Sequence, residues 1–196
     1  MDRGRLEAFS DGVFAVAITL LALNLVVAGP GHGPLLRQLG EHWPGFVAYL
    51  ISFFTIGIIW VNHHAVVRSI TVVDRTLLLL NLALLAFVVL IPFATGTMAT
   101  YLTVSDVDAG VAMAVYATVF EGMAVSFGAM FAWTLREGRT HHAIPAEARR
   151  RVWLRFSVGT VLYVPAIAVA FISAPAALAI MGLIALYYVF ERTPTM

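Results

Sequence analysis

From Leu77 to Ala94 the chain runs through eighteen residues in which Asn81 is the only polar side chain. A helix on the surface of a soluble domain shows an apolar stripe and a polar face. This stretch has no polar face, and similar stretches recur along the chain. A membrane-spanning helix needs about 20 predominantly apolar residues. Six segments meet that requirement, roughly 8–28, 44–66, 76–101, 108–134, 152–172 and 175–190, the last being short. Charged residues make up 12% of the 196 residues, about half of what a soluble domain carries. The expected fold class is therefore all-α, a polytopic membrane protein with six transmembrane helices in one unit, residues 1–196.

The breaks between spans carry turn chemistry. Gly29-Pro30-Gly31-His32-Gly33-Pro34 cannot continue a helix, because glycine costs backbone entropy and proline lacks the N–H. Ser105-Asp106-Val107-Asp108 offers capping oxygens to the fourth span. Ser173-Ala174-Pro175 predicts a tight hairpin into the sixth.

Every one of the twelve basic residues is arginine, and their placement fixes direction. With the N-terminus cytoplasmic, the inside segments hold Arg3, Arg5, Arg68, Arg75, Arg136, Arg139, Arg149, Arg150, Arg151, Arg155 and Arg192, and the outside holds Arg37 alone. The positive-inside rule reads this as cytoplasmic N- and C-termini. An extra or missing helix would scramble the tally. Val26-Val27-Ala28 resembles a signal-peptide cleavage site, but Asp2, Glu7 and Asp11 beside the first arginines predict an uncleaved anchor. The longest polar connection, about 136–151, is basic and reads as a loop beside anionic headgroups. Without cysteine, disulfides and thiolate metal sites are excluded.

Polar residues inside the spans are then the functional candidates. Asp11 stands near the cytoplasmic start of the first span, where a carboxylate persists by facing protein or water, or by snorkelling to the interface. Arg5 lies six positions earlier, on a different helical face, so Asp11 needs partners from other helices. Topology brings His63 or His64, at the end of the second span, and Asn81, early in the third, to a similar depth. A hydrogen-bonded cluster of Asp11, histidine and Asn81 is the expectation. Adjacent histidines point about 100° apart on a helix, and no HExxH spacing occurs, so no metal site is expected. Glu121, mid-span in the fourth segment, has no evident partner. It could be a protonated core residue, a proton-coupling site or part of an inter-helix bond. Val16, Leu20 and Leu23 share a face of the first helix, with Thr19 beside them. Such a stripe serves packing or lipid contact in most helices, but around a symmetry axis it would form a hydrophobic constriction that gates by dewetting.

The string Arg5-x-x-x-Phe9-Ser10-Asp11, followed by Gly-Val-Phe-Ala-Val-Ala-Ile-Thr-Leu, resembles the signature of the transmembrane protein 175 family of lysosomal and prokaryotic potassium channels. Trp60-x-x-His63-His64 and Asn81 resemble that family's polar positions on the second and third helices. The resemblance implies a homotetramer in a prokaryotic plasma membrane, with the first helix of each subunit lining the pore and permeant potassium passing Val16, Thr19, Leu20 and Leu23. It implies a structural network of Arg5, Phe9, Ser10, Asp11, His63 or His64, and Asn81, and a transient potassium contact near Thr19. No cofactor and no nucleic-acid partner is implied; the partners are further copies of the chain and the bilayer. Asp11 reads as the anchor of the first helix. Val16 is smaller than the Ile or Leu expected at that constriction, which would loosen closure and selectivity. The chain has no Thr-Val-Gly-Tyr-Gly filter. The rival is a proton-coupled secondary transporter using Glu121 or Asp11, for which Pro92 and Pro165 are the best hints. A membrane-embedded enzyme using the paired histidines lacks a nucleophile or metal set, so the chain is read as no enzyme.

Overall fold

The computed structural model describes residues 2–136, 138–141 and 146–190, with the backbone alone for 146–149 and 151–158. The arginines at 149, 151, 155 and 192 and the loop residues His142 to Pro145, all used in the expectations above, lie outside the described side chains. The described chain is all helical: α1 (Arg3–Leu21), extended by a short 3-10 turn (Ala22–Asn24), α2 (Leu35–Glu41), α3 (Trp43–Ser69), α4 (Arg75–Tyr101), α5 (Asp106–Thr134), α6 (Ala146–Ala170) and α7 (Ala174–Phe190). The one strand-like pairing among the described residues is an isolated bridge between Ile70 and Thr140.

Four of these segments, Arg3–Asn24, α3, α4 and α5, are long and apolar enough to cross a membrane. Gly159–Ala170 and α7 are apolar but shorter. The helix boundaries follow local chemistry. At the start of α5 the Asp108 N–H donates to Ser105 Oγ (3.1 Å), and the Ser105 hydroxyl donates back to Asp108 Oδ2 (2.7 Å). The Ser105 oxygen is a capping group of the kind expected from the sequence; the return bond to the Asp108 carboxylate is added by the structure. Asp74 caps α4 by accepting from the Leu77 N–H at 2.8 Å. The first helix departs from expectation at both ends. It begins at Arg3, and after Asn24 the backbone leaves the helix at Leu25 (φ −88°, ψ 70°), so Leu25 to Ala28 are apolar but not helical. Gly29, Gly31 and Gly33 follow with φ of 89°, 96° and 98°, a conformation L side chains rarely adopt. Gln38 of α2 closes this loop. Its amide accepts from the Gly29 N–H (2.9 Å) and donates to the Gly29 (3.0 Å) and Gly33 (2.9 Å) carbonyls.

Helix α4 is the hub, packed most extensively on α5 and flanked by α1 and α3; α6 and α7 close the far side of α5. The fully buried Phe120, Phe127, Leu84 and Ile91 belong to this core. Ser52, Thr95 and Tyr116 bind α3, α4 and α5 through buried hydroxyls (2.8 and 2.9 Å). At the opposite end from the glycine loop, the α3–α4 and α5–α6 connections meet. The Thr71 N–H donates to the Arg139 carbonyl (2.9 Å), and the His141 N–H donates to that of Ser69 (3.0 Å). Arg139 pairs with Asp74 (2.8 Å) while lying over Trp133. Arg3 reaches the same end, donating to the Arg68 carbonyl. The described arginines at 3, 68 and 139 thus share one end of the bundle, as the charge pattern requires.

Candidate functional site

Helix α1 sits at the edge of the bundle, touching α3 and α4 but none of the later helices among the described residues. Leu6, Ser10, Phe14, Ala17 and Leu21 form its buried face. Their spacing winds one stripe along the helix, and the opposite stripe is left without a partner inside the chain. That open face carries Val16, Leu20 and Leu23, which are 56%, 39% and 70% exposed, and Thr19. The small residues Ala8, Gly12 and Ala15 share it and are exposed too. The four residues that the family resemblance assigns to the pore are therefore turned away from the chain's own core. The Thr19 hydroxyl donates to the Val16 carbonyl at 2.8 Å. Its proton is thereby occupied and its oxygen lone pairs are left pointing outward.

The polar anchoring of α1 differs from expectation in its members. The cluster at its buried face is Ser10, Asn81 and His63. His63 Nε2 lies 2.7 Å from Asn81 Oδ1, and Asn81 Nδ2 donates to Ser10 Oγ at 3.1 Å. The Ser10 hydroxyl donates to the Leu6 carbonyl at 2.9 Å. Donors and acceptors then run in one direction, from the imidazole N–H through the amide and hydroxyl to a backbone oxygen. All three residues are buried, and the His63 ring rests against Phe14. Through Nε2, His63 and not His64 joins the network, while His63 Nδ1 is shielded and has no hydrogen bond.

Asp11 does not enter this cluster, which corrects the expectation of an Asp11–histidine–Asn81 set. One residue along a helix is about 100° of rotation, so Ser10 faces Asn81 while Asp11 faces α3. There it accepts from Trp60 Nε1 at 2.8 Å. His64 turns to Glu7, with Nδ1 2.9 Å from Oε1, and Arg68 Nε stands 3.8 Å from the same oxygen. In the sequence Glu7 stands out only as a charge of the N-terminal region; its spacing of four from Asp11 is the signal that both carboxylates share a face. Arg5 and Phe9 are exposed, and Arg5 makes no hydrogen bond or ion pair among the described residues. The far end of α1 has its own tie, missed in the sequence: Asn24 Nδ2 donates to the Pro92 carbonyl at 2.9 Å. Glu121 lies on α5, with Oε2 shielded and without a hydrogen bond. Neither Pro92 nor Pro165 breaks its helix.

Comparison with known proteins gives a consistent picture. The family model described as "Endosomal/lysosomal potassium channel TMEM175" matches residues 5–92, from Arg5 to the proline that receives Asn24. A protein named a potassium channel in Streptomyces collinus is 46% identical, over 98% of this chain and 94% of that one. The crystal structure of a lysosomal potassium-selective channel TMEM175 homolog from Chamaesiphon minutus is similar with a TM-score of 0.84 at 33% identity, covering 95% of this chain and 96% of that one. A chicken protein named an endosomal/lysosomal proton channel is 40% identical over 48% of this chain, which spans 21% of its length.

Proposed function

The chain belongs to the TMEM175 family of ion channels, and from that membership we propose that it is a potassium-preferring cation channel built as a homotetramer around its first helix. The observation that carries this reading is the division of α1 into two faces. One face is pinned by Ser10, Asn81 and His63, while Val16, Thr19, Leu20 and Leu23 project away from the subunit. Four such faces around an axis give apolar rings with a hydroxyl layer between them. Ala8, Gly12 and Ala15 leave room for close approach between neighbouring helices. No charge lies on that face between Gly12 and Leu23, so ions pass largely hydrated. The Thr19 oxygen offers a brief contact to permeant potassium. The apolar rings close by expelling water.

In this reading residues 1–196 are one channel unit of six spans, α6 and α7 supplying the fifth and sixth. Both termini lie in the cytoplasm, and the chain resides in a bacterial plasma membrane. Its partners are its own copies and lipid, with no nucleic acid and no cofactor beyond permeant potassium. Replacing an apolar pore side chain with a polar one wets the constriction. Val16→Asn or Leu20→Asn in liposomes should raise potassium flux at a set voltage, and unchanged flux in both would sink the pore assignment. The chicken relative is named a proton channel, so proton flux should be measured in parallel. Potassium flux that continues without a co-substrate and survives Glu121→Gln supports a channel. Flux that needs a proton gradient and dies with Glu121→Gln supports the proton-coupled transporter.

A further inference from the structure

Beneath the Ser10–Asn81–His63 cluster, on two of its three helices, lies a second group of polar side chains that the channel reading does not use. Glu7 and Asp11 stand one turn apart on α1, and His64 faces them from α3. One donor atom from each lies within 4.8 Å of the other two. His64 Nδ1 is shielded from solvent and makes no aligned hydrogen bond, although Glu7 Oε1 is 2.9 Å away. Trp60 Nε1 holds Asp11 by Oδ1 at 2.8 Å, orienting the carboxylate while leaving Oδ2 for another partner.

We propose that Glu7, Asp11 and His64 form a binding site for a borderline divalent transition-metal cation such as Zn2+, which ties α1 to α3. One imidazole and two carboxylates are a donor set for Zn2+, Ni2+ or Co2+. Ca2+ and Mg2+ need more oxygen ligands than the three side chains provide. Zinc holds nitrogen and oxygen at about 2.0–2.2 Å in a tetrahedron, so its ligand atoms sit roughly 3.3 Å apart. The Glu7–His64 pair, at 2.9 Å, is already near that spacing, and the Asp11 carboxylate, within 4.8 Å of both, needs to move by no more than about 1.5 Å to become the third ligand. The three side chains leave one coordination position to water. All three are part-exposed, which gives an ion its entry path. Trp60 becomes the outer partner that aims a ligating carboxylate, a role whose loss weakens metal affinity 10–100-fold. Arg68, 3.8 Å from Glu7, is the cation already near the site and competes with the metal.

The test is isothermal titration of ZnCl2 into the purified, folded full-length protein at neutral pH, with melting temperature recorded alongside. The wild type should bind one Zn2+ per chain and melt higher with it. His64→Gln should weaken binding at least tenfold, and Trp60→Phe to a lesser degree. Arg68→Gln should tighten it, a change that a merely structural role for Glu7 would not produce. His32→Gln, His42→Gln and His141→Gln should leave it unchanged. Wild-type protein that stays folded and takes up no zinc overturns the proposal. So does binding that is unaffected by His64→Gln, or that disappears with His141→Gln.

Discussion

The corrected network makes a ranking that can be measured. Asn81 contributes to two inter-helix bonds, with His63 at 2.7 Å and with Ser10 at 3.1 Å, and both partners are fully buried. Side-chain hydrogen bonds between membrane helices average about 0.6 kcal/mol and reach about 1.7. Removing a partner also strands what remains, and a buried unsatisfied donor costs about 1–3 kcal/mol. Asn81→Ala strands His63 Nε2–H, whose other ring nitrogen already lacks a hydrogen bond. The sum is about 2–4 kcal/mol, that is roughly 30- to 800-fold in the unfolding equilibrium. Asp11→Ala loses one bond, from Trp60, a residue 40% exposed that can turn its N–H to water or headgroups. About 0.5–1 kcal/mol is expected there. Reversible unfolding in mixed micelles should therefore rank Asn81→Ala well above Asp11→Ala. The double variant should be additive within about 0.5 kcal/mol, because the two residues share no partner, whereas Ser10→Ala with Asn81→Ala should be less than additive. A greater loss for Asp11→Ala, or a wild-type stability for Asn81→Ala, would refute the assignment of the anchor to Ser10, Asn81 and His63.

Three further outcomes follow from named contacts. A Cβ on Gly96 would sit 2.7 Å from Asn24 Oδ1, so Gly96→Ala should displace that amide from Pro92 and cost about 1 kcal/mol, read as a lower melting temperature. The same substitution in an Asn24→Ala background should cost little. Asp74 is held below the ordinary carboxylate range, first by the Leu77 N–H and then by the Arg139 guanidinium. Its stabilisation is full above the ordinary carboxylate value of about 4 and is lost as pH falls through the depressed one. An acid titration of melting temperature should therefore show a smaller decline for Asp74→Asn than for the wild type. On transport, Thr19→Val keeps the shape of the open face but removes its only hydroxyl between Gly12 and Leu23. It should lower the potassium-to-sodium flux ratio, and an unchanged ratio would remove Thr19 from the selectivity argument.

The sequence carried the long helices well, because apolar length and the Ser105 cap act locally. Neither depends on how the helices pack. It carried the depth of His63 and Asn81 for the same reason, since topology alone sets depth. Partner identity was less legible. Whether Ser10 or Asp11 meets Asn81 turns on helix rotation, and a 100° step separates the two. Spacing could have flagged Glu7 with Asp11, but not that His64 would face them. The end of α1 was misplaced because Leu25 to Ala28 are as apolar as a helix requires. The glycine loop and the Gln38 clamp, which are tertiary features, pull the backbone out of the helix. The Ser52–Thr95–Tyr116 link was likewise invisible: each hydroxyl by itself is an ordinary residue of a membrane helix.

Two of the ties that hold α1 and its 3-10 extension end on a single neighbour. Asn81 and the Pro92 carbonyl stand on α4, eleven residues apart, which is close to three whole turns at 3.6 residues per turn. They therefore lie on one edge of α4, and α1 behaves as a beam resting on two bearings cut into the same rail. Its other polar contacts, Asp11 with Trp60 and Glu7 with His64, go to α3. A beam so mounted does not tilt or slide without carrying the rail along. In the proposed tetramer, a stimulus that changes the width between neighbouring first helices would act by moving α4 with them, so a sensor could be grafted onto the α4 side of the bundle without touching the proposed pore face.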